Sequence, residues 1–151
     1  MTERNVLQGT LVNVNGIGVL IIGQSGSGKS LAALSLMRSG RQLIADDLVL
    51  VRKQEPNVLI GQPLEENVRI EVRGLGLFNA RTLFDDAVEE SCPIDIVVEL
   101  TSYIPERDTG LVSPVVSQTT IMGCSLDKFL IPVATGMDPG FLIELLVRSK
   151  S

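Results

Sequence analysis

The chain has 151 residues, 44% hydrophobic and 21% charged, which suits one soluble folded domain over 1–151 and leaves no room for a second core. A net charge of −5, with four Phe, one Tyr and no Trp, argues against a nucleic-acid surface, which needs basic side chains and stacking platforms. The chain also has no histidine, which excludes Ser-His-Asp catalysis, imidazole metal ligands and a phosphohistidine intermediate.

Acid–base chemistry near neutral pH therefore falls to a carboxylate, lysine, cysteine or tyrosine. The N-terminal "MTERNVLQGT" mixes charges and lacks the apolar core of a signal peptide. The longest apolar run, Ile17 to Ile22, is broken by Gly18 and is too short to cross a bilayer. Cys92 and Cys124 stand apart with no CxxC spacing, as buried thiols of a reducing cytoplasm do, and a cytoplasmic location is expected.

In chain order, Leu11 to Val14 and Val19 to Ile22 read as strands joined by an Asn15-Gly16 turn. Leu31, Ala33, Leu34, Leu36 and Met37 recur at helical spacing, and Gly40 supplies the stop. A short buried strand over Leu43 to Ala45 ends at Asp46-Asp47, and Leu48 to Val51 continues extended. Strand, loop, helix and strand make a βαβ unit, for which a right-handed crossover is expected. Val68, Ile70 and Val72 then alternate with Arg69, Glu71 and Arg73, the period of a half-buried strand. A further strand is expected over Ile94 to Leu100, while Thr101 to Pro132 has little pattern and reads as loop with one or two strands. Asp138-Pro139 caps a closing helix whose Phe141, Leu142, Leu145 and Leu146 suit a core or an interface. The fold class is α/β.

Between the second strand and the first helix stands Gly23-Gln24-Ser25-Gly26-Ser27-Gly28-Lys29-Ser30, a full match to GxxxxGK[ST] in the context that pattern requires. Its glycines let backbone N–H groups curl around phosphate oxygens at a helix N-terminus. Lys29 would reach the β- and γ-phosphates, and the Ser30 hydroxyl would ligate Mg²⁺. A dinucleotide site fits worse, because GxGxxG from Gly26 would need glycine where Leu31 stands. Strand alternation sends Asp46 and Asp47 to opposite faces, so one should face the nucleotide as magnesium support or as a base; both could also simply begin a turn. Glu71 shares a face with Arg69 and Arg73, which reads either as a solvated charge ladder or, beside Gly74-Leu75-Gly76, as a metal ligand.

Together "GVLIIGQSGSGKS", "GRQLIADDLVL" and "IEVRGLGLFNARTLF" resemble the catalytic domain of bacterial HPr kinase/phosphorylase, in its short form. That family uses a P-loop to phosphorylate a serine of the phosphocarrier HPr and removes the phosphate by phosphorolysis. The resemblance is strongest over Leu7 to Phe84. It implies a P-loop kinase fold of the phosphoenolpyruvate carboxykinase-like type, ATP and Mg²⁺ as cofactors, HPr as partner and a hexamer. It implies that Gly23 to Ser30 bind ATP, that Ser30 and Glu71 hold magnesium, that Asp47 exchanges the serine proton, and that Lys29 and Arg107 (in "ERDTGL") are catalytic. Two departures stand out: Gln8-Gly9 replaces a family His-Gly pair, and "PVATGMDPGF" lacks the basic residues tied to dephosphorylation. A related kinase with another acceptor, or a nucleotide sensor without catalysis, are the alternatives.

Overall fold

The computed structural model describes residues 3–150; Met1, Thr2 and Ser151, at the ends of the expected 1–151 domain, lie outside that range. The first half holds β1 (Arg4–Gln8), β2 (Thr10–Val14), β3 (Ile17–Ile22), α1 (Lys29–Arg38), β4 (Gln42–Ala45), β5 (Leu48–Gln54) and β6 (Val58–Pro63). A hairpin of β7 (Arg69–Val72) and β8 (Gly76–Asn79) follows, then β9 (Cys92–Pro93) and β10 (Ile96–Ser102). The chain closes with α2 (Pro105–Asp108), β11 (Val115–Ile121), β12 (Cys124–Val133) and α3 (Pro139–Ser149).

These elements stack in three layers, an α/β architecture. The central six-stranded sheet runs β11-β12-β10-β3-β2-β4, and a four-stranded antiparallel sheet runs β1-β5-β6-β9. Side chains alternate across the central strands, so the sheet serves two cores. Val12, Val19, Ile21 and Val98 point into one core with Leu36 and Met37 of α1 and Ile143 of α3. Leu11, Leu20, Ile44 and Val97 point the other way, against Val49, Val51 and Leu59 of the smaller sheet. Burial on both faces is why the central strands read as continuous apolar runs.

The expected βαβ unit takes an unexpected form. β2 pairs antiparallel with both β3 and β4, so β4 runs parallel to β3 with β2 inserted between them. The direct parallel partner of β3 is β10, through Ile96↔Val19 to Glu99↔Ile22. That pairing places the end of β3 and the end of β10 on one sheet edge, where the loop before α1 opens.

The poorly patterned stretch contains α2 and the β11–β12 hairpin, turned at Met122 and Gly123 with φ 49° and 81°. Most of β11 is exposed, which removes the period-2 signal. In α3, Asp138 accepts from the Gly140 N–H at 2.9 Å and Pro139 occupies the first turn, as expected of the cap. The helix buries Ile143, Leu146 and Val147, whereas Phe141 and Leu145 are exposed. Glu144, a buried residue of α3, accepts from Arg41 Nε at 2.8 Å, Arg41 Nη2 at 3.0 Å and Arg148 Nε at 3.0 Å, which ties α3 to the turn after α1. Both cysteines are buried and free; burial pushes the Cys92 thiol up to about 12, which leaves it unreactive. Among the described residues no helix is long and apolar enough to cross a membrane.

Candidate active site

The loop from Gly23 to Ser30 leaves β3 at the sheet edge and turns directly into α1. Gly26 and Gly28 have φ of 84° and 103°, a region where a side chain is strained, so glycine is needed for this curl. Gly28 is the N-cap, no side chain caps the helix, and its first turn holds no acidic residue. The leading N–H groups of α1 and the positive end of its dipole are thus left for an anion. Lys29 folds back over the loop, its Nζ donating to the carbonyls of Gly23 at 2.7 Å and Gln24 at 3.1 Å.

This loop forms one wall of a cleft of about 550 Å³. Of the eight loop residues expected to bind nucleotide, Ser25, Gly26, Gly28, Lys29 and Ser30 line the cleft. Gly23, Gln24 and Ser27 do not; the first two hold Lys29, and the Ser27 hydroxyl is buried beneath the loop without a hydrogen bond. Asp46 and Asp47 line a second wall, and Arg69, Glu71 and Arg73 of the β7–β8 hairpin a third. Ile70 is fully buried in the core between them, so the alternation expected of this segment places its charged face on the cleft.

The aspartate pair departs from strand geometry. The two residues follow the end of β4, Asp47 adopts a left-handed φ of 71° that ends the strand alternation, and both residues line the same cleft. Asp46 is the more buried of the two. It accepts from the Thr10 hydroxyl at 2.8 Å and from the Ser30 hydroxyl at 3.0 and 3.2 Å. Burial raises its carboxyl above the ordinary range, against the lowering effect of those two hydrogen bonds, and the neighbouring Asp47 adds to the rise. Asp47 is exposed, and its carbonyl accepts from the Gly9 N–H at 2.8 Å. Gln8 pairs with Leu48 in register, so the Gln8-Gly9 departure lies directly beside Asp47.

Arg107 is not brought to this cleft. It lies on the short α2, where its Nε donates to Asp108 Oδ1 at 2.6 Å and its Nη2 to Asp108 Oδ2 at 2.8 Å and the Ser102 carbonyl at 3.1 Å. That hydrogen bonding holds the Asp108 carboxyl below its usual range. The arrangement that sequence spacing does not reveal is the hub of Asp46, Ser30 and Thr10; Thr10 gives no signal because its contact runs across the sheet to a residue 36 positions away.

Among the described residues, no three Asp, Glu or Cys groups form a metal cage. The donor set instead suits a Mg²⁺ shared with a nucleotide: an Ser30 hydroxyl held by a carboxylate, with Asp47 and Glu71 on the same cleft.

The family described as HPr Serine kinase C-terminal domain matches residues 1–151. An HPr kinase/phosphorylase of Geobacter sulfurreducens is 38% identical over 145 residues, 95% of this chain and 46% of that protein. Another, of Listeria monocytogenes serotype 4a, is 39% identical over 141 residues, 92% of this chain and 45% of that protein. The chain thus spans about half the length of the curated relatives it matches. The solved structure of the Hpr(Ser) kinase/phosphatase from Coxiella burnetii is similar with a TM-score of 0.85 at 32% identity, covering 97% of this chain and 90% of that one.

Proposed function

The chain belongs to the family of HPr serine kinase C-terminal domains, and on that premise we propose that it is an ATP- and Mg²⁺-dependent serine kinase whose acceptor is the phosphocarrier protein HPr. The single observation that carries this reading is the cleft that Lys29, Ser30, Asp47 and Glu71 line together. The loop and the free N-terminus of α1 hold the phosphate chain, and Lys29 leaves the loop carbonyls to pair with its outer oxygens. Ser30 and Glu71 would hold Mg²⁺, which when bound would neutralise charge on the phosphates. Asp46 fixes the Ser30 hydroxyl. A serine hydroxyl is a weak nucleophile until a carboxylate takes its proton. Asp47 accepts that proton as the new O–P bond forms and the bond between the β- and γ-phosphates breaks, releasing ADP. Arg107, tied to Asp108 and outside the cleft, has no part in this scheme.

The reverse reaction, attack of inorganic phosphate on phosphoserine, is the weaker activity in this proposal. Pro139 packs its ring 3.6 Å from where a Cβ on Gly28 would stand, so the Pro132 to Phe141 segment abuts the phosphate loop, yet it carries no basic residue. A second reading, a related kinase with another acceptor, is favoured by Gln8 beside Asp47, because an amide cannot titrate where the family's histidine would.

Transfer of labelled phosphate from ATP to purified HPr, wild type against Asp47→Asn, tests the proposal. Loss of a general base lowers kcat by about 10²- to 10⁴-fold. Equal transfer by both proteins removes Asp47 from its role. ATP turnover without labelled HPr selects the other acceptor, and nucleotide binding without turnover selects a sensor.

A further inference from the structure

The β7–β8 hairpin turns through Val72-Arg73-Gly74-Leu75, closed by the Leu75 N–H on the Val72 carbonyl at 2.9 Å. Gly74 takes φ 91° at the third position, the geometry of a type II turn. This turn aims the Arg73 side chain across the cleft onto the phosphate loop. A Cβ built on Gly26 would stand 3.4 Å from Arg73 Nη2 and 4.0 Å from Nη1. Among the described residues Arg73 makes no hydrogen bond and no ion pair, and it lines the same cleft as Lys29.

An arginine on a surface ordinarily finds a carboxylate or extends into water. Here a guanidinium lies against a loop whose own ammonium, Lys29, lines the same cleft with the same charge. An anion seated in that cleft would be attracted by both cations. A planar fork of N–H donors matches two oxygens of one phosphoryl group, which a single ammonium cannot do. Lys29 approaches the loop from the Gly23 and Gln24 carbonyls, whereas Arg73 covers its open side at Gly26, on the hairpin that carries Glu71.

We propose that Arg73 is a second phosphate-binding arm, whose guanidinium grips the terminal phosphoryl group of a bound nucleoside triphosphate from the open side of the loop. This rests on the nucleotide-binding part of the function proposed above, not on the identity of the acceptor. In the transfer step the arm would balance charge spreading over the phosphoryl oxygens, the task that the resemblance assigns to Arg107.

The test compares the full chain with Arg73→Ala and Arg73→Lys, using calorimetric titration with Mg²⁺ plus either ADP or the β,γ-imido analogue of ATP. Arg73→Ala should weaken the analogue about 10- to 100-fold, the range for charge-assisted hydrogen bonds, and change ADP by less than about threefold. Arg73→Lys, which keeps the charge and loses the fork, should recover part of the loss. Arg73 stands in an exposed turn, and melting curves of all three proteins verify that the fold is kept. Unchanged analogue affinity in Arg73→Ala overturns the assignment, and so does equal weakening of both nucleotides, which would put the side chain on the inner phosphates. Wild-type protein that binds the analogue but labels no acceptor sinks the kinase reading while the binding comparison still decides Arg73. A wild type that binds neither nucleotide sinks both.

Discussion

Replacing Asp46 by asparagine separates what this carboxylate does for the fold from what it does for the site. The side chain takes three short contacts, one from Thr10 at 2.8 Å and two from Ser30 at 3.0 and 3.2 Å, and burial raises its pKa above the ordinary 3.8. A carboxyl whose folded-state value stands above its unfolded one adds stability that is fully present below that ordinary value and is lost as pH rises through the folded one. Once ionised, the carboxylate keeps its desolvation cost without that contribution. Asparagine removes the charge and keeps one oxygen for the Thr10 and Ser30 hydroxyls, so in buffer with chelator the melting temperature should rise. The site should suffer in the opposite direction. A carboxylate that orients a metal-ligating hydroxyl is typically worth about 10- to 100-fold in metal affinity, or roughly 1.4–2.7 kcal/mol. Titration of Mg²⁺ into the protein with saturating ADP reads the affinity, and a thermal melt in chelator reads the stability. Gain in one with loss in the other is the expected signature. An unchanged magnesium affinity, or a lower melting temperature in chelator, would refute the reasoning.

Two further outcomes follow from the geometry. Gly26→Ala forces a side chain into φ 84° and against Arg73, which should cost about 1–2 kcal/mol and weaken nucleotide binding, read by a melt and by calorimetry; no change in either would contradict the left-handed loop. Glu144→Gln loses the charge that binds Arg41 and Arg148 and should cost about 1–2 kcal/mol at pH 7, or about 2–8 °C in a melt. Hydrogen bonding from Arg41 is the main cause that holds the Glu144 carboxyl below its ordinary 4.5. Its stabilisation is thus present above that value and lost as pH falls through the folded one, so the wild type and variant should converge in acid.

The glycine-rich loop and the helix after it were legible because their information is local: the glycines, the lysine and the flanking apolar run all lie within Ile17 to Leu36. So was the cap at Asp138, for the same reason. Strand order was not legible, since β3 finds its parallel partner in β10, and no local pattern reports that β2 separates β3 from β4. The aspartate pair shows how one dihedral can reverse an argument. Alternation holds only while the backbone stays extended, and the left-handed turn at Asp47 ends it. Arg107 failed to reach the cleft because its nearest charge is the next residue, Asp108, which takes both arms of the fork. The one or two strands expected between Thr101 and Pro132 are β11 and β12, but their bounds were not legible, because β11 is exposed along most of its length and has no apolar side to declare.

On the proposed function, the placement of charge in the cleft bears on which direction of phosphoryl transfer this chain favours. Forward transfer brings its own magnesium and a phosphate chain tethered to a nucleoside, which the loop, Lys29, the α1 N-terminus and the proposed Arg73 arm would hold together. The reverse reaction must also seat free inorganic phosphate, which has no nucleoside to anchor it and depends on fixed positive charge. The segment against Gly28 offers none, and Gln8 beside Asp47 is neutral. That leaves Lys29, Arg69 and Arg73 as the cations lining the cleft. In the reverse direction these same three cations would have to seat the free phosphate, with no further charge from the Pro132 to Phe141 segment. On the proposed function, a site built this way would transfer phosphate outward more readily than it takes phosphate in.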